Sequence, residues 1–243
     1  MLIDFRTGFC VYQISIIIPT YNERENIPIL LEEIFSIIGT LHDIDLEVII
    51  VDDNSPDETG KIAEELVGKY PLKVIHRSGK KGLGSAVMEG FALSQRSVIG
   101  VMDADLSHDP SILPEMINSL KEYDIVIGSR FSEQSYVEKW RIDRKITSII
   151  GVWLAKHLTC VSDPLSGYFL LKREVIKNFS LISPGYKILL EILVKGKYTK
   201  VKEIPFRFRT REHSVSKLSF VEYYYFVKQL MIFSKMKLLK KKT

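Results

Sequence analysis

Two aspartates with one residue between them, Asp103 and Asp105, follow a short and mostly apolar run at 98–102. Such a run is typical of a buried strand. Carboxylates are costly to bury unless they are paired or bound to a cation. At the carboxyl end of a strand they predict a hard-metal site, where Mg2+ or Mn2+ takes oxygen ligands and holds a substrate diphosphate. For an isolated pair, the plainer alternative is a loop with two solvated acids and a helix cap.

Alternating strands and helices are predicted around this pair. Apolar runs predict strands at 14–18, 46–51, 72–75, 98–102 and 124–128, and helical spacing with cap residues predicts helices at 23–38, 56–69, 85–95 and 111–121. This alternation indicates a parallel sheet with right-handed crossovers, whose ligands bind at the carboxyl ends of the strands. The acidic turns and the basic, glycine-bearing loop 76–84 all fall at such ends, which favours the metal-site interpretation.

A dinucleotide-binding fold shows the same alternation, but its phosphate-binding fingerprint is missing. The turn after the first strand, 19–23, contains no glycine. The KGLG segment at 81–84 lacks the final glycine and does not follow the first strand. A Walker phosphate loop is also absent, so both of these nucleotide-binding classes are excluded.

Length and composition predict one large α/β domain. The 243 residues are 46% hydrophobic and 26% charged, which is ordinary for a globular protein. Cys10 and Cys160 match no metal or redox spacing, which favours a reducing compartment. The formal net charge of +4 comes from five lysines in the last nine residues, Lys235, Lys237, Lys240, Lys241 and Lys242. This tail argues against a nucleic-acid partner and for a local anionic partner such as a membrane surface.

Eight short motifs, taken in order, resemble the family 2 glycosyltransferases of the GT-A fold, and among them the dolichyl-phosphate mannose synthase branch. The motifs are PTYNEREN (19–26), VDDNSPD (51–57), KG with SA (81–86), DADL (103–106), GSR (128–130), DPLSG (163–167), YKILLEI (186–192) and SK (216–217). The resemblance implies an α/β fold with a Rossmann-like, mostly parallel sheet flanked by helices, and C-terminal interfacial helices.

The resemblance also implies an activity. An inverting transferase of this branch would use Mg2+ or Mn2+ to move mannose from GDP-mannose, its nucleotide-sugar donor, to polyprenyl or dolichyl phosphate. A phosphate monoester is already an anion near neutral pH, so it needs alignment rather than a strong base. UDP-glucose as donor, a non-lipid acceptor and a non-catalytic member of the family are the alternatives.

Roles follow from the resemblance, residue by residue. Asp103 and Asp105 would bind the metal, and Asp105, Arg130 and Arg144 would form the catalytic set, with both arginines facing the acceptor phosphate. Residues of the nucleotide pocket would be Pro19, Tyr21, Glu23, Val51, Asp53, Asp103, Arg211 and Lys217. Ser166 and Gly167 would shape the sugar and acceptor side. Two residues depart from the pattern: Ser107 replaces a frequent glutamine, and Ser214 replaces a usual glycine.

Two aromatic, basic-flanked stretches predict helices that lie in a membrane interface. We expect a catalytic domain at 1–218, with an amphipathic interface helix inserted at 140–158, and a membrane-associating helix with the lysine tail at 219–243. Neither stretch has the roughly 20 apolar residues of a spanning helix. The protein is thus expected to be peripheral, on the cytoplasmic face of a membrane, and a separate membrane subunit is a plausible partner. For both helices, the alternative is that they pack on the sheet or form a dimer face.

Glu191 lies in a run of otherwise apolar residues that predicts a helix. Two interpretations are open for it: an acceptor-site carboxylate or an ion-paired helix residue.

Overall fold

The sheet is the centre of the molecule. A computed structural model describes residues 2–3, 10–41, 43–137, 142–177, 180, 187–209 and 220–240. Its strands are β1 (Leu2–Ile3), β2 (Cys10–Thr20), β3 (Ile44–Asp52), β4 (Leu72–His76), β5 (Val98–Val101), β6 (Ile125–Ser129), β7 (Tyr136–Val137), β8 (Phe169–Lys172), β9 (Val201–Pro205) and β10 (Arg207–Phe208). All five strands predicted from the sequence are present.

The strand order is that of a doubly covered, mostly parallel sheet. It runs β4-β3-β2-β5-β8-β6-β9, with β1 paired to β2, while β7 and β10 form a separate parallel pair. β8 is antiparallel to both of its neighbours, β5 and β6, and the other pairings along this order are parallel. The predicted α/β class is confirmed, and the antiparallel β8 is an addition that the apolar runs did not reveal.

Helices cover both faces. They are α1 (Asn26–Ile38), α2 (Thr59–Glu65), α3 (Leu83–Leu93), α4 (Leu113–Ser119), α5 (Ile142–Lys156), α6 (Ile188–Lys195) and α7 (Phe220–Lys240). A single 3-10 turn at 110–112, capped by Asp109, leads into α4, so the predicted helix at 111–121 begins as a tighter turn. The helix predicted at 56–69 is shorter, because Glu58 takes a left-handed conformation with φ +64° just before α2.

The alternation of side chains along β2 explains why the protein has a hydrophobic core on each face of the sheet. Ile14, Ile16 and Ile18 point into a core shared with α1 and α4, whereas Ile17 points into the opposite core with α3 and α6. Successive strand residues face opposite sides of a sheet, so a continuous apolar run is what a strand covered on both faces requires. Both cores therefore fix the height and tilt of the strand ends that carry the polar motifs.

A third core joins α5, α6 and α7. Phe226, Leu230 and Phe233 of α7 pack with Val152 and Ala155 of α5. No helix in the described part of the chain is long and apolar enough to cross a membrane. The two stretches predicted to be interfacial thus form helices that pack on each other and on α6.

Candidate active site

Parallel pairing delivers five of the predicted pocket residues to one edge of the sheet. Pro19 of β2 lies opposite Val51 of β3, and both are buried. β5 continues the same ladder on the other side of β2. Tyr21, Asp53 and Asp103, which follow these three strands, consequently leave the sheet side by side at its carboxyl edge.

The turn after β5 holds two carboxylates in fixed positions. The Asp103 backbone N–H donates to Nδ1 of His108 at 3.0 Å. One oxygen of the Asp105 carboxylate accepts from the Ser107 backbone N–H at 3.1 Å and also from the Ser107 hydroxyl. Leu106, between them, has φ +60°, a left-handed conformation that costs a leucine roughly 1–2 kcal/mol. The hydrogen bonds on both sides of Leu106 maintain this strained turn, as is common at functional sites.

Gly167 forms the seat of the Asp103 carboxylate. A Cβ built on Gly167 would lie 3.0 and 3.1 Å from the two carboxylate oxygens of Asp103. These distances are shorter than ordinary van der Waals contact, so only glycine leaves this carboxylate undisturbed. The structure therefore brings together two residues that sequence analysis assigned to the metal and to the sugar side.

The donor set suits a hard divalent cation that also binds a diphosphate. No group of three histidine, cysteine or acidic side chains in the described part of the chain could hold a metal by itself. Mg2+ is commonly bound by one or two carboxylates, with substrate phosphates and water completing the coordination. Asp103, whose side chain is 29% exposed, and the more buried Asp105 provide such a pair.

Asp53 is engaged with the loop after β4. Its carboxylate accepts from the backbone N–H groups of Lys81 and Gly82, at 3.1 and 2.8 Å, and from the buried guanidinium of Arg77. Resemblance assigned Asp53 to the base or ribose of a nucleotide. In the structure this carboxylate also shapes the 81–82 turn, and Arg77, which sequence analysis mentioned only as part of a basic loop, is its partner.

Tyr21 lies beside that turn, and Glu23 lies between the first residues of α1 and α2. The Lys80 ammonium lies 4.0 Å from the centroid of the Tyr21 ring, a cation–π distance. The buried Glu23 carboxylate accepts from the Asn26 side chain at 2.7 Å, and the Glu23 N–H donates to Thr59 at 2.9 Å. Tyr21 is therefore bordered by the loop that carries Lys80, whereas Glu23 is held by the first residues of α1 and α2.

Arg130 is held by a buried carboxylate. Its Nε and Nη2 both donate to Asp163 at 2.8 Å. Asp163 is itself fixed, because its backbone N–H donates to Glu203 at 2.9 Å. Complete burial alone would raise the pKa of the Asp163 carboxyl, but the charge and hydrogen bonds of Arg130 outweigh it and keep that pKa below its usual range. In the structure, Asp163 thus sets the orientation of the Arg130 guanidinium.

The Ser166 hydroxyl is hydrogen-bonded to backbone groups of its own neighbourhood. Its buried hydroxyl lies 2.7 Å from the Gly128 carbonyl, to which it donates, and accepts from the Tyr168 N–H at 3.1 Å. These bonds join the end of β6 to the start of β8. The Ser166 hydroxyl therefore fixes the backbone around the neighbouring Gly167, and its assignment to the sugar side remains a prediction.

An aromatic cluster that the sequence did not reveal lies beside the turn that carries Asp103 and Asp105. His108 stacks on Tyr168 with ring centroids 5.0 Å apart, and its ring makes edge-type contacts with Phe206 and Phe208, whose centroids lie 5.8 and 6.1 Å from its own. The Arg130 guanidinium lies 5.7 Å from the Phe208 centroid. The cluster consequently links the Asp103–Asp105 turn to the start of β8, to β10 and to Arg130. Its four aromatic residues come from three separate segments of the chain, so the only signal in the sequence was their residue types.

Three predicted residues cannot be placed in this geometry. Arg144 belongs to α5, but its side chain is not among those described. Arg211 and Lys217 lie outside the described residues. Their assignments to the acceptor phosphate and to the nucleotide remain predictions.

Glu191 is an ion-paired helix residue. Its fully buried carboxylate accepts from Lys195, four residues further along α6, at 2.9 Å and from Gln229 of α7 at 3.3 Å. Of the two interpretations left open by the sequence, the ion pair is the one observed. Glu191 thereby anchors α7 to α6 through a polar contact inside an otherwise apolar interface.

Comparison with known proteins identifies the class to which this site belongs. Residues 15–189 match the family model described as glycosyl transferase family 2. The chain belongs to that family, which confirms the resemblance in the motifs.

Among its relatives are two named dolichol-phosphate mannosyltransferase. The Pyrococcus furiosus protein is 47% identical over 85% of this chain and 59% of its own length, so the match spans less than two thirds of that relative. The Saccharomyces cerevisiae protein is 33% identical over 90% of this chain and 87% of its own length.

Solved structures show the same fold. Glucosyl-3-phosphoglycerate synthase from Mycobacterium tuberculosis, in complex with Mn2+, UDP and glucosyl-3-phosphoglycerate, has a TM-score of 0.62 and 21% identity, covering 91% of this chain and 78% of its own. The same enzyme with Mg2+ and UDP has a TM-score of 0.61 and 20% identity, over 91% of this chain and 78% of its own. At this identity the likeness concerns the fold alone.

Proposed function

We propose that the protein transfers mannose from GDP-mannose to dolichyl or another polyprenyl phosphate, with inversion at the anomeric carbon. The observation that carries this proposal is the likeness to dolichol-phosphate mannosyltransferases over 85% and 90% of the chain. The carboxylate pair at the carboxyl edge of the sheet supports it, because Asp103 and Asp105 suit a cation that binds a sugar-nucleotide diphosphate. A bound Mg2+ or Mn2+ would supply charge stabilisation to the leaving diphosphate.

The chain's own residues bind and orient the donor. Pro19 and Val51 form the apolar floor of the nucleotide pocket, with Tyr21 and Glu23 at its border and Asp53 at the base or ribose. Gly167 gives the Asp103 carboxylate its place, and Ser107 gives Asp105 its orientation. Arg211 and Lys217 would close over the phosphates.

The transfer itself needs alignment more than acid–base catalysis. An oxygen of the acceptor phosphate attacks the anomeric carbon while the bond from that carbon to the GDP oxygen breaks, and GDP leaves as an anion. Arg130, fixed by Asp163, and Arg144 aim the acceptor phosphate. Arginine is suited to this task because its planar fork binds phosphate through two parallel hydrogen bonds.

The acceptor is a long-chain lipid, and α5 and α7 present a surface that fits a membrane. The helices run parallel, since Gly151 lies next to Phe226 and, further along both, His157 contacts Ser234 at 2.9 Å. Their outer faces expose large apolar side chains: Ile149, Ile150, Trp153, Tyr224, Val227 and Met231. Lys156 of α5 and Lys228, Lys235 and Lys237 of α7 are exposed and would contact anionic lipid. We place this face on the cytoplasmic side of a membrane, where a membrane-spanning subunit could also be recruited.

The test is a transfer assay with purified protein and a short polyprenyl phosphate in detergent. Radiolabelled GDP-mannose and UDP-glucose are offered separately, with Mg2+, Mn2+ or EDTA, to the wild type and to Asp105→Ala. We expect label from GDP-mannose in the organic phase, lost with EDTA and with the variant. Label from UDP-glucose alone would replace the donor in this proposal. No lipid product from either donor, with folded protein that binds nucleotide, would refute it.

A further inference from the structure

Arg77 is the most extensively paired buried cation near the nucleotide pocket among the described residues. It follows β4 directly, and only 2% of its side-chain surface is exposed. Its Nη1 pairs with Asp53, its Nη2 donates to the Ser85 hydroxyl at 2.8 Å, and its Nε donates to Glu89 at 3.0 Å. The guanidinium thus joins the end of β3 to the first turns of α3. A buried charge with this many partners is costly to build, which points to a role beyond filling space.

The other side of Asp53 holds the loop between β4 and α3. The N–H groups of Lys81 and Gly82 both donate to the Asp53 carboxylate, and Gly82 has φ +92°, which glycine adopts without strain. Lys80, the preceding residue, lies over the Tyr21 ring. Arg77 and Asp53 therefore determine where this loop meets the pocket border.

We propose that Arg77 is a positioning residue for the donor nucleotide. It acts through Asp53: it neutralises and orients that carboxylate and holds the 80–82 turn against Tyr21, so that the pocket is formed before the nucleotide arrives. This inference rests on the proposed function, since it assumes that the nucleotide binds at Asp53 and Tyr21. A preformed pocket improves affinity, because little ordering remains to be done on binding. Arg77 binds Asp53, Gly82, Ser85 and Glu89 and none of Asp103, Asp105 and Arg130, so turnover of bound donor should change little.

The experiment compares Arg77→Lys and Arg77→Gln with the wild type. Lysine keeps the charge but cannot reach three partners at once, whereas glutamine removes the charge. A charge-assisted hydrogen bond contributes enough that we expect the GDP dissociation constant to rise about 10-fold or more in Arg77→Gln, and less in Arg77→Lys. The KM for GDP-mannose should rise in parallel, with kcat within about twofold of wild type.

Arg96→Lys is the matched control. Arg96 is another partly buried arginine, but it pairs with Asp45 and lies near Glu47 at the opposite, amino edge of the sheet. Its substitution should lower the melting temperature while leaving the GDP dissociation constant unchanged. An effect of Arg77→Gln that is confined to melting temperature, as in this control, would overturn the inference.

Hydrogen exchange separates this inference from the proposed function. In Arg77→Gln the amides of Lys81 and Gly82 should exchange faster than in the wild type, with or without any nucleotide. If the wild-type protein binds no GDP, the assigned donor is wrong, and faster exchange would still show that Arg77 positions the loop. Unchanged exchange at these two amides would refute the positioning role whatever the donor is.

Discussion

Replacing Gly167 by alanine should weaken metal binding without unfolding the protein. The new Cβ would lie 3.0 Å from the nearer oxygen of the Asp103 carboxylate, so that carboxylate must move by a few tenths of an ångström. Asp103 can yield only through its side chain, because His108 accepts a hydrogen bond from its backbone N–H. Disturbed support of a metal ligand typically costs about 10–100-fold in metal affinity, or about 1.4–2.8 kcal/mol. Gly167 has no positive φ, so alanine fits its backbone conformation.

Electron paramagnetic resonance of free Mn2+ in the presence of GDP measures this affinity directly, and the transfer rate as a function of Mn2+ concentration gives a second reading. The apparent dissociation constant for Mn2+ should rise about 10–100-fold, and excess Mn2+ should restore most of the transfer rate. Gly68→Ala is the matched control, because a Cβ at Gly68 meets nothing within 4 Å. Wild-type Mn2+ affinity in folded Gly167→Ala would refute the idea that Gly167 seats the Asp103 carboxylate.

Three further outcomes are expected. Partial burial would raise the pKa of the Asp124 carboxyl, but hydrogen bonds, first among them those from Thr199, outweigh it and lower this pKa. The Asp124 carboxylate therefore stabilises the fold at pH values above its ordinary pKa of 3.8. This stabilisation is lost as the pH falls through the lowered pKa. Asp124→Asn should lower the free energy of unfolding in urea by about 1–3 kcal/mol at pH 7, and a difference from wild type that does not shrink below about pH 4 would contradict this. Trp153→Ser and Met231→Ser remove side chains that are 71% and 69% exposed. The affinity for anionic vesicles, measured by co-sedimentation, should fall about 10-fold for each variant, while the melting temperature stays the same. Unchanged co-sedimentation would argue against the membrane face. Asp105→Asn should bind GDP in EDTA as the wild type does but gain no affinity from Mn2+ in calorimetry, and a full Mn2+ response would exclude Asp105 as a ligand.

Most of the sheet could be predicted because its strands are covered on both faces. Each of the five predicted strands is an apolar run, and the acidic turns after them mark the carboxyl edge. β8 and β9 were not predicted. β8 is only four residues long, and nothing in its own composition says that it runs antiparallel between β5 and β6.

The candidate site was predictable in its residue types and less so in its contacts. The motifs pointed to Asp103 and Gly167 separately, but their contact depends on β8 pairing with β5. Likewise, Arg77 and Asp53 are 24 residues apart, and no periodicity within either segment reveals that they pair. Such contacts are set by tertiary packing, which local sequence patterns do not encode.

The placement of β8 has a consequence for the order in which the molecule can be made. β5 pairs directly with β2, but β6 joins β5 and the rest of the sheet only through β8, which begins 40 residues after the end of β6. A chain emerging from the ribosome would expose an unpaired edge on β5 until residue 172 is available, and β6 would have no neighbour in the sheet until then. Unpaired edges are aggregation-prone, and pairing over long separations is slow. The same late strand brings Gly167 to Asp103, so the contact that holds the Asp103 carboxylate and the junction between β5 and β6 arise in one step of synthesis.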